Sequence, residues 1–204
     1  MSNPIIGKQA PTFSLPNYDG QTYEFKPGNG VPTALFFYPS SGTYGCTKEA
    51  CAFRDAIAEK GVFKSKVNVV GVSSNPVAKQ KEFVEKYNLT YPVLSDAKGE
   101  ARKAYGTSKG LLGLTDSRTT FIIDSKGIVR DLFDSVINYA GHTKFVEKWL
   151  DKLQAEEQTG KPATPLAADA IPNESENGAQ SPGVPEARTE EVKEESKAAA
   201  AVQA

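Results

Sequence analysis

The chain has 204 residues, among them two cysteines and one histidine, and its formal net charge is −1 at pH 7. Two cysteines in a chain of this length do not form a disulfide scaffold, which favours a reducing compartment in which thiols are either functional or inert. The charge pattern gives no indication of nucleic-acid binding, and no apolar run approaches the ~20 residues that span a bilayer.

The first elements in chain order are a hairpin, a buried strand and a helix. Alternating apolar residues at 12–15 and 21–25, on either side of an Asp-Gly pair, predict the hairpin. The continuous apolar run at 33–38 predicts a buried central strand. Apolar residues at helical spacing then predict a helix over 47–63.

Strands and helices alternate in the middle of the chain. A second buried strand is predicted at 67–73 and a helix at 76–88, followed by a short strand at 92–95 and a short helix near 97–105. A glycine-rich loop at 106–117 comes next. This order predicts right-handed parallel units.

The last elements complete the predicted fold. Two strands at 119–124 and 128–133, joined by a tight turn, predict an antiparallel pair, and an amphipathic helix follows at 142–153. The whole order is that of an α/β protein with a thioredoxin-like fold. In this fold a central mixed sheet is flanked by helices, and here an N-terminal β-hairpin is added.

The composition changes sharply at residue 155. Residues 155–204 contain five prolines, no aromatic residue, and ten acidic against four basic side chains, a net charge of −6, whereas residues 1–154 carry +5. Such a segment cannot bury enough apolar surface to offset its ordering entropy. We therefore expect one domain over 1–154 and a disordered acidic tail over 155–204.

Cys46 lies just after the predicted central strand, at the start of a helix. The first N–H groups of a helix have no intrahelical partners and carry partial positive charge, so this position stabilises a thiolate, the nucleophilic form of cysteine. The one histidine, His142, is remote in sequence and is interpreted as a helix-start residue without a catalytic role. A Cys/His hydrolase is therefore disfavoured.

Cys51 follows Cys46 by five positions. In an α-helix that spacing separates the Cα atoms by about 8–9 Å, whereas a disulfide needs roughly 4.4–6.8 Å. If both cysteines lie on one helix, they can bond only when it unwinds locally. The alternative is that the two cysteines are unrelated and that Cys51 is a small core residue.

The segment around Cys46 resembles the peroxiredoxins. Pro39, Thr43 and Cys46 match their Pro-x-x-x-Thr-x-x-Cys signature, and the spacing of Cys46 and Cys51 is similar to that of the bacterioferritin-comigratory-protein/PrxQ subfamily, the atypical two-cysteine type. The strand after Arg118 resembles the family's arginine-bearing strand. The resemblance covers roughly residues 4–153, and Tyr44 stands where many members of the subfamily have proline.

The resemblance implies a thioredoxin-dependent peroxidase that reduces hydrogen peroxide and organic hydroperoxides. Cys46 would be the peroxidatic cysteine and would become a sulfenic acid, Thr43 would hydrogen-bond the peroxide, and Pro39 would shape the pocket. Arg118 would stabilise the thiolate and the leaving oxygen. Cys51 would resolve the sulfenic acid into an intramolecular disulfide, which a thioredoxin-type dithiol reduces. No cofactor or metal is implied.

The sequence also allows two other functions. A thioredoxin-like dithiol oxidoreductase is disfavoured because it would use Cys-x-x-Cys, and a non-enzymatic redox sensor or adaptor could use the acidic tail for partner binding. Glu49 could orient Arg118, although a solvated helix residue is the preferred interpretation. We further expect a monomer in the cytoplasm or nucleus, without membrane or nucleic-acid partners.

Overall fold

A computed structural model describes residues 3–59, 63, 66–107 and 117–160 of the chain. Most of the predicted glycine-rich loop and of the predicted tail lies outside these residues. The predicted N-terminal hairpin is confirmed. Strand β1 (Phe13–Pro16) pairs antiparallel with β2 (Thr22–Phe25), and Phe13 stacks on Phe25 with ring centroids 4.5 Å apart.

The central sheet has five strands in the order β5-β4-β3-β6-β7. Strands β3, β4 and β5 are parallel, whereas β6 runs antiparallel to both β3 and β7. The predicted thioredoxin-like mixed sheet is therefore confirmed. The strands span Thr33–Phe37 (β3), Asn68–Ser73 (β4), Val93–Ser95 (β5), Thr119–Ile123 (β6) and Val129–Asp134 (β7).

Four helices accompany the sheet in the described part of the chain. They are α1 (Tyr44–Ala58), α2 (Val77–Tyr87), α3 (Glu100–Ala104) and α4 (Tyr139–Thr159). None of them, within the described ranges, is long and apolar enough to cross a membrane.

Several helix boundaries differ from the sequence prediction, and two of the differences have a clear physical cause. Helix α1 begins at Tyr44 rather than 47, because Thr43 is extended and its carbonyl already accepts the first helical hydrogen bond, from Thr47 N–H. Helix α4 runs past the predicted domain end at 154, and its last turns are held by the ion pair between Arg130 and Glu156 (2.8 Å). The apolar pattern stops before the helix does, so it could not mark this end.

Helices α1 and α4 pack together on one face of the sheet, where the core is rich in aromatic side chains. Phe36 of β3 stacks on Phe53 of α1 with centroids 4.6 Å apart, and Trp149 of α4 is fully buried. Burial of each such side chain contributes roughly 2–3 kcal/mol. This packing fixes the start of α1 beside the end of β3, which is where the candidate site lies.

Candidate active site

Cys46 is the third residue of α1 and is only 1% exposed. The chain reaches it through a short connection, residues 38–43, that leaves β3 and turns into the helix. At this position Sγ lies close to the helix's unpaired N–H groups, whose partial positive charge favours an anion. The structure thus places the thiol at a helix N-terminus, as the sequence predicts.

Arg118, the residue just before β6, contacts Cys46 with its guanidinium group. Its Nη2 donates to Cys46 Sγ at 3.3 Å, and its Nε donates to the Val136 carbonyl at 3.3 Å. Its Nη1 makes a close, buried ion pair with Glu49 Oε2. Burial lowers the pKa of Arg118, but Glu49 and Cys46 more than offset it, so the net shift is upward and the guanidinium stays charged.

Gly45 makes room for the guanidinium. A Cβ at this position would lie 3.1 Å from Arg118 Nη2 and 3.6 Å from Tyr139 Cδ1. A side chain would therefore push the arginine away from the sulfur. The lack of a side chain at Gly45 therefore lets Arg118 reach the Cys46 sulfur.

Glu49 is completely buried, which corrects the interpretation that it is a solvated helix residue. Burial raises the pKa of Glu49 to about 7, although Arg118 acts in the opposite direction. Its contact with Arg118 holds the guanidinium in the orientation that reaches Cys46. The signal was present in the sequence, because Cys46, Glu49 and Phe53 are spaced to share one face of a helix.

His142 is also part of this buried cluster, which the sequence interpretation missed. The ring is fully buried, its Nδ1 lies 2.8 Å from Thr120 Oγ1 and 3.4 Å from Glu49 Oε1, and its Nε2 lies 3.0 Å from the Ser135 carbonyl oxygen. Burial lowers the pKa of His142 to about 3, so the ring is neutral. Its helical spacing with Phe145 and Trp149 could have predicted that it faces the core.

Pro39 and Thr43 lie in the connection before α1. Thr43 is exposed and is the N-cap residue, and its hydroxyl donates to the Ser40 carbonyl at 3.0 Å instead of capping the helix. Pro39 is half-buried. Tyr44, 71% exposed, meets the Tyr139 ring edge-on with centroids 6.0 Å apart. These residues lie next to the first turn of α1, and Thr43 and Tyr44 are exposed to solvent.

Cys51 lies on the same helix as Cys46, and both thiols are free. The five-residue spacing keeps their Cα atoms about 8–9 Å apart, beyond disulfide range, while the helix is intact. Burial raises the pKa of the half-buried Cys51 thiol, with opposing contributions from Arg54 and Lys48. The structure therefore brings Cys46, Arg118, Glu49 and His142 together. Cys51 can reach Cys46 only after the part of α1 that carries them unwinds.

No group of three or more His, Cys, Asp or Glu side chains within the described ranges could hold a metal ion. The chemistry that the cluster itself offers is nucleophilic. It contains a buried thiol, a permanent cation within hydrogen-bond distance of the sulfur, and a second thiol on the same helix.

Comparison with known proteins gives consistent matches. Residues 6–132 match the AhpC/TSA family. The chain is 37% identical to a peroxiredoxin Q of Triticum aestivum over 63% of this chain and 58% of that protein, so it spans less than two thirds of that relative's length. It is 35% identical to a peroxiredoxin Q of Populus jackii over 72% and 68% of the two chains.

Among solved structures, the peroxidoxin BcpB of Mycobacterium tuberculosis superposes with a TM-score of 0.62 at 38% identity, over 74% of this chain and 96% of that one. A peroxiredoxin Q mutant of Xanthomonas campestris superposes with a TM-score of 0.60 at 25% identity, over 68% and 90%. The similarity therefore extends over nearly the whole of these smaller proteins.

The expected cytoplasmic or nuclear location is wrong in the light of these relatives. The matching proteins of wheat, poplar, rice and Arabidopsis thaliana are all named as chloroplastic. The expectation depended on the lack of an apolar leader and of a basic cluster. Missing signals of that kind do not identify a compartment.

Proposed function

Because the chain belongs to the AhpC/TSA family, and within it to the peroxiredoxin Q group, we propose that it is a thiol-dependent peroxidase acting through Cys46. The resemblance predicted from the sequence is confirmed by this membership. Peroxiredoxins act on hydroperoxides and are reduced by thioredoxin-type partners. The proposed substrates of this chain are hydrogen peroxide and organic hydroperoxides.

The observation that carries the proposal is the 3.3 Å hydrogen bond from Arg118 Nη2 to Cys46 Sγ at the start of α1. The thiolate attacks one peroxide oxygen, the O–O bond breaks, and the sulfur becomes a sulfenic acid. The second oxygen leaves with negative charge and takes up a proton. Arg118 stabilises both the thiolate and the charge that develops on the leaving oxygen.

Thr43 and Pro39 are proposed to shape the peroxide site. The Thr43 hydroxyl is exposed three residues before the nucleophile, and its bond to the Ser40 carbonyl leaves its oxygen able to accept a hydrogen bond from a peroxide O–H. Pro39 fixes the backbone where the chain leaves β3. Together they would orient the peroxide and shield the sulfenic acid from solvent.

Cys51 is proposed as the resolving cysteine. Its thiol attacks the Cys46 sulfenic acid, water leaves, and an intramolecular disulfide forms. Because both residues lie on α1, the first turns of the helix must unwind before the sulfur atoms meet. A thioredoxin-type dithiol then reduces the disulfide and is itself oxidised. A Cys-x-x-Cys oxidoreductase would need no such unwinding, so nothing in this geometry favours that alternative.

Stopped-flow reaction of the reduced protein with hydrogen peroxide, followed by Trp149 fluorescence, tests the proposal. We expect Cys46→Ser to abolish peroxide consumption. Cys51→Ser should still consume one equivalent and accumulate a sulfenic acid, without a thioredoxin-reducible disulfide. Unchanged consumption in Cys46→Ser would refute the peroxidase function, and thioredoxin-dependent turnover by Cys51→Ser at the wild-type rate would refute the resolving role.

The remaining proposals concern assembly and domains. We propose a monomer that acts without membrane or nucleic-acid partners, with catalysis confined to the domain predicted over 1–154 together with the end of α4. The part of the acidic tail, predicted over 155–204, that follows Gly160 would then be dispensable for chemistry. Size-exclusion chromatography with light scattering, before and after oxidation, tests the monomer directly.

A further inference from the structure

One oxygen of the buried Glu49 carboxyl lacks a hydrogen bond. Arg118 occupies Oε2, whereas Oε1 has no hydrogen-bond partner among residues 3–59, 63, 66–107 and 117–160. The atom opposite Oε1 is His142 Nδ1, at 3.4 Å. Leaving an ionised oxygen buried without a donor is costly, so this contact needs an explanation.

The tautomer of His142 follows from its other nitrogen. Nε2 lies 3.0 Å from the Ser135 carbonyl oxygen, which can only accept, so Nε2 carries a hydrogen. In the neutral ring Nδ1 is then bare and accepts from the Thr120 hydroxyl at 2.8 Å. If Glu49 is ionised, two acceptors therefore face each other with no proton between them.

The groups around this contact come from three other parts of the fold, and among them only Arg118 is charged. Arg118 meets Glu49 from the residue before β6, and the Tyr91 hydroxyl, which donates to the Ala50 carbonyl at 2.8 Å, faces Glu49 from the segment before β5. The Phe133 ring of β7 packs edge-on against His142 with centroids 4.8 Å apart. With Cys46 as a thiolate and Glu49 ionised, Arg118 balances only one of two buried negative charges.

We propose that Glu49 and His142 hold one proton between Oε1 and Nδ1 in the reduced protein, and that this proton keeps the cluster of Cys46 thiolate, Arg118 and Glu49 electrically neutral. The proposal builds on the proposed function, since it assigns the thiolate to Cys46. His142 is then a positioning residue that acts through Glu49 and Arg118. In the protonated pair Oε1–H faces Nδ1, whose one lone pair it shares with the Thr120 hydroxyl, so that two bare acceptors no longer face each other.

The pKa shifts agree with this location of the proton. Burial raises the pKa of Glu49 to about 7 and lowers the pKa of His142 to about 3. Both directions place the proton on the carboxyl rather than on the ring. The neutral carboxylic acid is thus the donor and the imidazole is the acceptor.

The ionised Glu49 carboxylate supplies a proton acceptor for the Cys46 thiol. A cluster with neutral thiol and ionised Glu49 has the same net charge as one with thiolate and protonated Glu49. Forming the thiolate therefore moves a proton within the cluster and buries no additional net charge. After attack, the sulfur is a neutral sulfenic acid and the site carries an excess positive charge. The pair then releases its proton to solvent, from which the leaving oxygen takes one.

The single histidine makes the proposal directly measurable. The full chain, labelled with ¹⁵N-histidine and kept reduced, gives one pair of ring nitrogen resonances. We expect the Nδ1 resonance to shift with pH as Oε1 loses its proton, although the ring never becomes an imidazolium near neutral pH. In Cys46→Ser, which has no thiolate charge, the midpoint should lie about one pH unit lower.

Two further variants separate charge from structure. Cys51→Ser keeps the Cys46 thiolate and should keep the wild-type midpoint. Glu49→Gln presents an amide N–H to Nδ1 at every pH, so its Nδ1 resonance should not titrate in this range. A midpoint that is equal in wild type and Cys46→Ser, or a titration that persists in Glu49→Gln, would overturn the shared proton. Peroxide consumption by the wild-type sample is a separate measurement, and its absence would refute the proposed function alone.

Discussion

Replacing either member of the Glu49–His142 pair should reveal opposite pH dependences of stability that cancel in the wild type. The ordinary pKa values, which apply to the unfolded chain, are 4.5 for Glu49 and 6.5 for His142, whereas the folded values are about 7 and about 3. Between pH 4.5 and 6.5 the unfolded chain therefore carries one proton on His142 and the folded chain carries one on Glu49. The pair binds equal numbers of protons in both states, so its contribution to stability is flat.

Glu49→Gln removes the proton that the folded chain binds, because glutamine does not titrate. His142 still takes a proton in the unfolded chain below its ordinary value but not in the folded chain, so stability falls as the pH falls. Over two pH units at about 1.4 kcal/mol each, the free energy of unfolding should drop by about 3 kcal/mol between pH 6.5 and 4.5, relative to wild type.

His142→Leu has the opposite sign. Only the folded chain then binds a proton, on Glu49, whose pKa is raised by burial. Its stabilising effect is complete below the ordinary pKa of 4.5 and is lost as the pH rises through about 7, which amounts to about 3 kcal/mol. The loss of the ring's packing lowers stability at every pH and leaves this slope unaffected.

Urea unfolding of the reduced proteins, followed by fluorescence of the single tryptophan at four pH values from 4.5 to 7.5, measures these slopes. Titration of groups outside the cluster of Cys46, Glu49, Arg118 and His142 is common to the three proteins and cancels in the differences. Slopes of the same sign in both variants, or slopes equal to that of wild type, would refute the one-proton account of the pair.

Three further changes test the site and its surroundings. Arg118→Lys should slow sulfenic acid formation in stopped-flow by about 100-fold, because one ammonium cannot hold both Glu49 and Cys46 Sγ; a rate within threefold of wild type would contradict this role. Tyr139→Ala removes the edge-on contact with Tyr44, worth roughly 0.5–1.5 kcal/mol, and should speed disulfide formation about threefold without changing peroxide attack; a slower disulfide step would show that the contact does not restrain the helix. Truncation after Gly160 should leave both rates within twofold, and a large loss would assign the tail a role in chemistry.

Local patterns predicted the elements of this fold well because each pattern has a local physical cause. Alternation around the Asp-Gly turn located the hairpin, and the uninterrupted apolar run located β3. The end of α4 was not predictable in the same way. Its last turns are stabilised by an ion pair from Glu156 to Arg130, a residue of β7 that is distant in sequence.

The proposed catalytic pair could be named from sequence only through the family resemblance. Cys46 and Arg118 are 72 residues apart and meet because β6 pairs antiparallel with β3, the strand that delivers the chain to α1. No spacing along the chain carries that information. The cysteine spacing, in contrast, is local, and it correctly indicated that the two thiols cannot bond while the helix is intact.

Glu49 and His142 show what a purely local interpretation could have recovered. Each is a polar residue at a position where helical spacing requires an apolar one, Glu49 beside Ala50 and Phe53, and His142 before Phe145 and Trp149. A charged residue on a buried face is costly unless it is paired, so each exception predicts a partner. When two such polar residues lie on helices that pack against the same face of the sheet, each is the expected partner of the other. The buried contact between them is therefore the part of the site that sequence could have indicated without any family resemblance, and its proton is what the histidine resonance would report.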